Sequence, residues 1–315
     1  MATYKEIKGT NVQSFSSDPG NPLNGQVWYN TGSSALKVAE VVSTGTWASG
    51  GAMGSARYAG QGTGTQTAAL ASGGSPSGPD QAVEEYNGTS WTAGTNMPTG
   101  KRNNSGAGTQ TSTVVFGSGS SLEWNGSAWT AGGNLSINSY YNGGCGTQTA
   151  ALSFGGSAPP GLQVATEEYN GTAWTGGGNM GTAVWLMGSA GTQTAGFSAG
   201  GRNPGAANQS EEYNGTAWTG GGNMNITKDG GVRGAGLQTA AIMFGSYGSP
   251  GQQTELYDGS SWTITGSMST LKETTFSGGT QAAAIASAGG PSGSPPTATE
   301  EFTGPGTTIE TVTTS

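Results

Sequence analysis

The chain has 315 residues, of which 61 are glycine and only 9% are charged, and its net charge is −8. Interior glycine costs about 1 kcal/mol against alanine in a helix, so this composition argues against a helical protein. The ten Lys and Arg residues cannot form the basic face that nucleic acids require, and the absence of histidine excludes Ser-His-Asp catalysis and histidine-ligated metals.

Residues 1–42 form the first predicted region. The run Gly25–Val38 predicts a hairpin, with QVWY as one strand, NTGSS as the turn and ALKV as the other strand. The opening MATYKEIKGTNVQSF is too polar for a signal peptide, and no apolar run reaches the roughly 18 residues of a membrane span. We therefore expect a protein made in a cytoplasm, without membrane insertion.

An internal repeat follows and covers most of the chain. The run EEYNGTSW at Glu84–Trp91 returns as EEYNGTAW at Glu167–Trp174 and Glu211–Trp218, with diverged copies at Leu122–Trp129 and Glu255–Trp262. A second phrase, GTQTAAL, recurs around six glutamines. Successive tryptophans at 47, 91, 129, 174, 218 and 262 lie 44, 38, 45, 44 and 44 residues apart. This period predicts six structural units.

Each unit contains signals for four short strands. The Asn-Gly pair predicts a type I′ turn between a strand ending at Tyr and a strand containing Trp. TAALASGG predicts an apolar strand, and the Gly- and Ala-rich segment before it fits a strand beside a crowded axis. Four strands in about 44 residues are typical of a β-propeller blade. We therefore predict an all-β, six-bladed propeller with four-stranded blades.

The last unit lacks a tryptophan strand of its own. The segment Ser43–Trp47 could supply it, and the C-terminal run TTIETVTTS also alternates like a strand and could pair at the same place. We expect N-terminal closure, with the tail as an alternative. The predicted division is an N-terminal attachment segment at 1–42 and a propeller at 43–315.

The repeat resembles the kelch family, in which an apolar strand ending in Gly-Gly is followed by a Tyr and then a Trp. The pattern occurs clearly three times and more loosely elsewhere, with clear copies at Gly73-Gly74, Tyr86 and Trp91; Gly155-Gly156, Tyr169 and Trp174; and Gly200-Gly201, Tyr213 and Trp218. This resemblance implies a kelch-like propeller fold and leaves function open.

The N-terminal phrase GQVWYNTGSSALKV and the repeated EEYNGTAWTGGGNM resemble structural proteins of tailed bacteriophages, particularly marine ones. The resemblance implies a virion component, such as a tail fibre, a baseplate accessory or a surface decoration, made in the host cytoplasm. It implies that residues 1–42 dock onto other virion proteins, with multiple copies per particle.

We interpret the repeated polar and aromatic residues as structural. Ten glutamates crowd the Tyr strands, where they could form a Ca²⁺-binding belt or accept hydrogen bonds from backbone; we expect the latter and no cofactor. The six repeated glutamines are expected to tie turns or neighbouring blades. Blade packing is assigned to Trp47, Trp91, Trp129, Trp174, Trp218, Trp262, Tyr86, Tyr169, Tyr213 and Tyr257. Cys145 is expected to be a buried small side chain.

Ligand contacts are predicted instead at aromatic residues that break the repeat. These are Tyr58, Tyr140, Tyr141, Trp185 and Tyr247. The variable loops after each Gly-Gly pair should leave one face of the fold, where recognition usually occurs. A sialidase is not expected, because the four arginines lie at different repeat positions.

The sequence thus favours a non-enzymatic virion structural protein that displays a rigid propeller to a host-surface glycan or receptor. The first alternative is a carbohydrate-active depolymerase using paired carboxylates, for which no pairing motif occurs. The second is an intracellular kelch-type protein-interaction module. No catalytic, cofactor or metal residues are assigned.

Overall fold

The structure is a computed structural model that describes residues 12–19, 25–41, 43–75, 78, 80–248, 250–290 and 296–312. By its internal contacts the chain divides into a small unit, Met1–Gly45 with Pro305–Ser315, and a large unit, Thr46–Gly304. The predicted division at residues 42 and 43 lies close to the first boundary. The C-terminal segment belongs to the small unit, whereas the sequence had assigned it to the propeller.

The described residues form 32 β-strands and contain no helix, so the all-β prediction is confirmed. The first twelve strands are β1 (Gln13–Phe15), β2 (Val27–Asn30), β3 (Ala35–Val41), β4 (Thr46–Gly50), β5 (Gln61–Thr65), β6 (Ala68–Ser72), β7 (Val83–Tyr86), β8 (Trp91–Ala93), β9 (Ser105–Thr109), β10 (Ser112–Gly117), β11 (Ser120–Trp124) and β12 (Trp129–Ala131).

The next twelve strands are β13 (Gly143–Thr147), β14 (Ala150–Phe154), β15 (Ser157–Ala158), β16 (Gly161–Leu162), β17 (Thr166–Tyr169), β18 (Trp174–Gly176), β19 (Gly188–Thr192), β20 (Ala195–Ala199), β21 (Arg202–Asn203), β22 (Gly205–Ala206), β23 (Ser210–Tyr213) and β24 (Trp218–Gly220). The last eight are β25 (Arg233–Leu237), β26 (Ala240–Phe244), β27 (Thr254–Tyr257), β28 (Trp262–Thr265), β29 (Phe276–Gly279), β30 (Ala284–Ser287), β31 (Thr299–Thr303) and β32 (Thr307–Thr311).

The large unit contains six four-stranded antiparallel sheets, numbered here in chain order. Sheet I is β5–β8, sheet II is β9–β12, sheet III is β13, β14, β17 and β18, sheet IV is β19, β20, β23 and β24, sheet V is β25–β28, and sheet VI is β29, β30, β31 and β4. The first strand of each sheet is called its inner strand. Each inner strand contacts the inner strands of the sheets before and after it, and sheet VI contacts sheet I. This cyclic arrangement is consistent with a β-propeller.

The fourth strand of sheet VI comes from the N-terminal side of the chain. Strand β4 pairs with β31, with Trp47 opposite Phe302, and overlaps the predicted closing strand Ser43–Trp47. The C-terminal tail does not share this position, because β32 pairs with β3 in the small unit. Sheet VI has its outer strand in β4, whereas β32 covers an edge of β3 that would otherwise be unpaired.

The small unit contains the predicted N-terminal hairpin. Strands β2 and β3 pair antiparallel, with Val27 opposite Val38, and β1 adds to β2 in the parallel direction. The Trp28 side chain is fully buried, and its indole N–H donates to the Asp18 carboxylate at 3.0 Å.

Glycine on the inner strands permits their close approach. A Cβ on Gly62 would lie 2.4 Å from the backbone of Ser277 in sheet VI, and one on Gly234 would lie 2.6 Å from the Ser189 carbonyl oxygen in sheet IV. No side chain fits at such distances. The expected Gly-rich strand beside a crowded axis is therefore present.

Neighbouring sheets are joined by the same contacts at successive seams. At the seam between sheets III and IV, Trp218 packs on Phe154 with ring centroids 4.8 Å apart, and the Tyr213 hydroxyl donates to Glu168 at 2.6 Å. The Gln193 amide donates to the Ala151 and Tyr169 carbonyls. Each glutamine of the repeat donates to two backbone carbonyls of the preceding sheet, as expected; these are Gln66, Gln110, Gln148, Gln193, Gln238 and Gln281.

The turn between the third and fourth strands differs from the predicted type I′ geometry. Tyr86 pairs with Trp91, so the loop has four residues, and only Gly88 has a positive φ. The Asn87 side-chain oxygen accepts the N–H groups of Thr89 and Ser90, both at 2.9 Å. An Asx turn therefore replaces the second left-handed residue that a type I′ turn needs.

The first glutamate of most Tyr strands is buried and holds the loop before its own inner strand. Glu255 accepts the N–H groups of Asn225 and Ile226, and Glu84 accepts the N–H of Gly54 and pairs with Arg57 at 2.9 Å. These carboxylates accept hydrogen bonds from backbone N–H groups, as expected from the sequence. Among the described residues, no three Cys, Asp or Glu side chains converge as a metal site.

Candidate functional site

A ring of backbone hydrogen bonds encircles one end of the inner strands. The residues just before these strands each donate an N–H to the preceding repeat, at 2.8–3.2 Å: Asn103 to Ala59, Tyr141 to Asn103, Leu186 to Tyr141, Val232 to Leu186, Thr274 to Gly231 and Ala59 to Thr274. The ring is closed. In the fifth repeat the donor is Val232 and the acceptor is its neighbour Gly231, whereas each other repeat uses one residue for both. We call this end of the inner strands the mouth.

The backbone of this ring is strained. Five of its members have φ between 46° and 58°, in the left-handed region that non-glycine residues seldom adopt; they are Ala59, Asn103, Tyr141, Leu186 and Thr274. Such residues cost of order 1–3 kcal/mol each and cluster at binding sites, where surrounding structure holds them in place.

A cavity of about 390 Å³ opens at the mouth. We call it the mouth cavity; its lining consists of Tyr58, Ala59, Arg102, Asn103, Tyr141, Trp185, Leu186, Arg202, Tyr247, Glu273, Thr274 and Gly290. Four of the five aromatic residues predicted to contact a ligand therefore line one cavity, although they come from four different repeats. The fifth, Tyr140, is not part of the lining and is 40% exposed.

The aromatic rings hold each other and the arginines in position. Tyr141 and Trp185 meet edge to face, with centroids 5.2 Å apart. The Arg102 guanidinium lies 5.4 Å from the Tyr58 ring centroid, and the Arg202 guanidinium lies 5.8 Å from that of Tyr247. Aromatic faces and planar guanidinium groups together suit the alternating apolar and hydroxylated faces of a sugar ring.

The loops after the Gly-Gly pairs reach the same end of the fold. Trp185 bridges to Arg202, Tyr58 to Ser75, and Tyr140 to Ser157 through backbone pairing. Arg202 and Tyr247 come from these loops and line the cavity. This placement supports the expectation that the variable loops share one face.

Burial changes the acid–base behaviour of the cavity. It raises the pKa of Tyr247, near which Arg233, Tyr141 and Glu273 also lie. Burial likewise raises the pKa of the Glu273 carboxyl, although the N–H of Gly248 donates to it at 3.3 Å. Glu273 is the one carboxyl in the described lining of this cavity.

Below the mouth, the inner strands enclose a narrow channel of about 140 Å³. Glycine is the commonest residue in its lining, which shares Asn103, Tyr141 and Leu186 with the mouth cavity. Arg233 lies in the channel lining and donates to the Thr275 and Val232 carbonyls at 3.1 and 3.0 Å. Its pKa is lowered to about 10 by burial.

Sequence reasoning missed the charged half of this site. Arg102 precedes an inner strand, Arg202 follows a Gly-Gly pair and Arg233 begins an inner strand, so their repeat positions differ. The fold nevertheless brings all three to the mouth and the channel beneath it, because the first strand and the loop after the second strand share this end of each sheet. Aligning the repeats and noting residues that depart from them at this end would have found them.

Cys145 is a free, buried thiol that packs with Leu152 and Phe154, and it also lines the channel beneath the mouth. Burial raises its pKa to about 12. Tyr86, Tyr169, Tyr213 and Tyr257 are buried between sheets, while the repeat tryptophans lie at the outer strands. No helix in the described residues is suited to crossing a membrane.

Comparison with known proteins supports the fold alone. The structure is similar to a solved structure titled "Structure of YjhT", a kelch-type propeller, with a TM-score of 0.64 and 11% sequence identity. The similarity covers 79% of this chain and 96% of that chain. No family model and no curated protein matches the sequence. The class defined by the fold is thus an all-β protein consistent with a β-propeller.

Proposed function

We propose that this chain is a non-enzymatic, six-bladed kelch-like propeller that binds a glycan in the mouth cavity. The convergence of Tyr58, Tyr141, Trp185 and Tyr247 on one 390 Å³ cavity carries this proposal. Six sheets in cyclic contact and a closed backbone ring support the blade number. Sugar recognition uses aromatic faces for the C–H surfaces of the ring and planar polar groups for its hydroxyls.

The absence of paired carboxylates in the described lining supports binding over hydrolysis. Glycoside hydrolysis needs two carboxyl groups on either side of the bond to be cleaved, and the described lining offers Glu273. The nearby Asp229 carboxylate is engaged with Arg202. We propose that the cavity works without a resident cofactor.

We further propose that the protein is a bacteriophage virion component, such as a tail fibre, a baseplate accessory or a decoration. The N-terminal sequence resemblance supports this, and the compact small unit offers a separate body for attachment to other virion proteins. The rigid large unit would then present its mouth cavity to host-surface glycans.

Two measurements test these proposals separately. A glycan microarray probed with the purified protein should show a restricted set of bound saccharides, and incubation with those saccharides should release no shorter products. No bound saccharide would reject the glycan proposal, and shortened products would favour the depolymerase. Mass spectrometry of purified phage particles should detect the protein; its absence from particles would reject the virion proposal and favour an interaction module.

A further inference from the structure

We propose that the mouth cavity and the channel beneath it select an acidic saccharide, and that Arg102 in the cavity and Arg233 in the channel bind its carboxylates. This inference rests on the proposed glycan-binding function and specifies the class of glycan. It depends on how the arginines of the chain are distributed and paired.

Three of the four arginines in this acidic protein lie at this end of the fold: Arg102 and Arg202 line the mouth cavity, and Arg233 lines the channel below it. The fourth, Arg57, is fully buried and paired with Glu84 at 2.9 Å. Arg202 is paired with Asp229. Among the described residues, Arg102 and Arg233 form no ion pair.

The contacts of these two guanidinium groups leave donors available. Arg102 lies over the Tyr58 ring and reaches its hydroxyl at 3.4 Å, while its Nε has no hydrogen-bond partner in the described chain. Arg233 makes its hydrogen bonds with two backbone carbonyls. Because a guanidinium carries five N–H donors, both groups can bind a further acceptor.

A partly buried cation without a counter-charge is costly, and a bound anion offsets that cost. The planar fork of a guanidinium matches a carboxylate in two parallel hydrogen bonds, which are stronger than bonds to a neutral hydroxyl. The surrounding aromatic rings and the 390 Å³ volume require more than a small inorganic anion. A sugar bearing a carboxylate fits both the aromatic rings, through its ring, and the guanidinium groups, through its charge.

The acidic side chains at the mouth do not neutralise this pair. Asp229 is engaged with Arg202, and in the described chain Glu273 forms no ion pair with Arg102 or Arg233. This arrangement predicts how four substitutions change the affinity for an acidic saccharide. Removing Arg102 or Arg233 should weaken acidic binding, whereas Asp229→Asn, which releases Arg202, and Glu273→Gln, which removes an acid, should strengthen it.

The test uses isothermal titration calorimetry with oligogalacturonate, oligoglucuronate and oligomannuronate, each compared with its carboxyl-reduced counterpart. Dextran sulfate, which is anionic but has no carboxylate, is the second anion. At least one carboxylated oligomer should bind about tenfold or more tightly than its reduced form, the loss expected for charge-assisted hydrogen bonds. Equal binding of both forms would overturn the inference and leave the glycan proposal standing. Binding of dextran sulfate alone would overturn the carboxylate assignment, and binding of no saccharide would overturn both proposals.

Matched variants locate the effect. Arg102→Gln and Arg233→Gln should each reduce acidic binding about tenfold and reduce any binding of the carboxyl-reduced oligomer much less. The double variant Arg202→Gln and Asp229→Asn serves as the control, because it removes both members of an ion pair and leaves the net charge of the mouth unchanged, and it should have a smaller effect than either single variant. Glu273→Gln should raise acidic affinity severalfold by removing repulsion. If Arg233→Gln fails to fold, Arg102→Gln and Glu273→Gln still decide the question, and a loss of acidic binding in Glu273→Gln would contradict it.

Discussion

The two ends of the inner strands differ in what the repeat preserves. At one end the same glutamine occurs six times and makes the same pair of hydrogen bonds to the preceding sheet. At the mouth the backbone ring is also repeated, but its side chains differ in every repeat. Repetition of side chains therefore marks the architecture, whereas a repeated backbone with varied side chains marks the candidate site.

The end of the inner strands that carries the six glutamines, called here the glutamine end, should contribute more to stability than to binding. Gln193→Met keeps the side-chain length but leaves the Ala151 and Tyr169 carbonyls without their donor. We expect a loss of about 2 kcal/mol in the free energy of unfolding, because each partly buried acceptor loses a hydrogen bond. Urea unfolding measures this loss, and glycan binding should not change.

Gln163→Met is the matched control for that experiment. The Gln163 amide also donates to two carbonyls, those of Ala158 and Gly161, but both lie in its own surface loop. We expect a loss below about 0.5 kcal/mol there. Equal losses for Gln163 and Gln193 would mean that the glutamine end does not join neighbouring sheets.

The mouth should govern binding instead. Trp185→Ala removes an aromatic face from the cavity, while the backbone ring through Leu186 remains. We expect at least about tenfold weaker binding of the glycan found on the microarray, with a loss of stability that is small by comparison. Tyr140→Ala is the control, since this exposed ring lies outside the cavity lining and should leave affinity unchanged. A larger effect at Tyr140 than at Trp185 would place the site elsewhere.

The alkaline pH dependence of stability reports on the architecture. Burial lowers the pKa of Lys228 and Lys272 to about 8, so between about pH 8 and 10.5 the unfolded state binds more protons and stability rises. Burial, followed by hydrogen bonds to glutamates, raises the pKa of Tyr86, Tyr213 and Tyr257 to about 12. Between about pH 10 and 12 the folded state therefore binds more protons and stability falls.

Urea unfolding at pH 7.5, 9.5 and 11.5 should accordingly give the highest stability at pH 9.5. The double substitution Lys228→Met and Lys272→Met should remove the rise and leave the fall. A steady decline from pH 7.5 in the parent protein would contradict the assignment of these buried lysines.

Much of this fold could be predicted because it repeats. The spacing of the six repeat tryptophans from Trp47 to Trp262 predicted six units, and the large unit has six four-stranded sheets. The Gly-rich segments indicated the inner strands. The pairing of β32 could not be predicted, because an alternating strand fits any open edge of matching polarity. The aromatic half of the site was visible as departures from the repeat, whereas the arginines needed the fold, because they reach the mouth from three different positions in their repeats.

The smallest expected effect tests the strain at the mouth itself. Ala59 has φ of 57° and is 3% exposed, whereas the ring uses glycine, Gly231, in repeat five. Ala59→Gly removes one methyl group and relieves the left-handed strain, so we expect a gain of about 0.5–1 kcal/mol in unfolding free energy. Alanine to glycine normally destabilises, so the sign alone is informative. A loss of stability would mean that the Ala59 methyl group contributes more to packing than its backbone conformation costs.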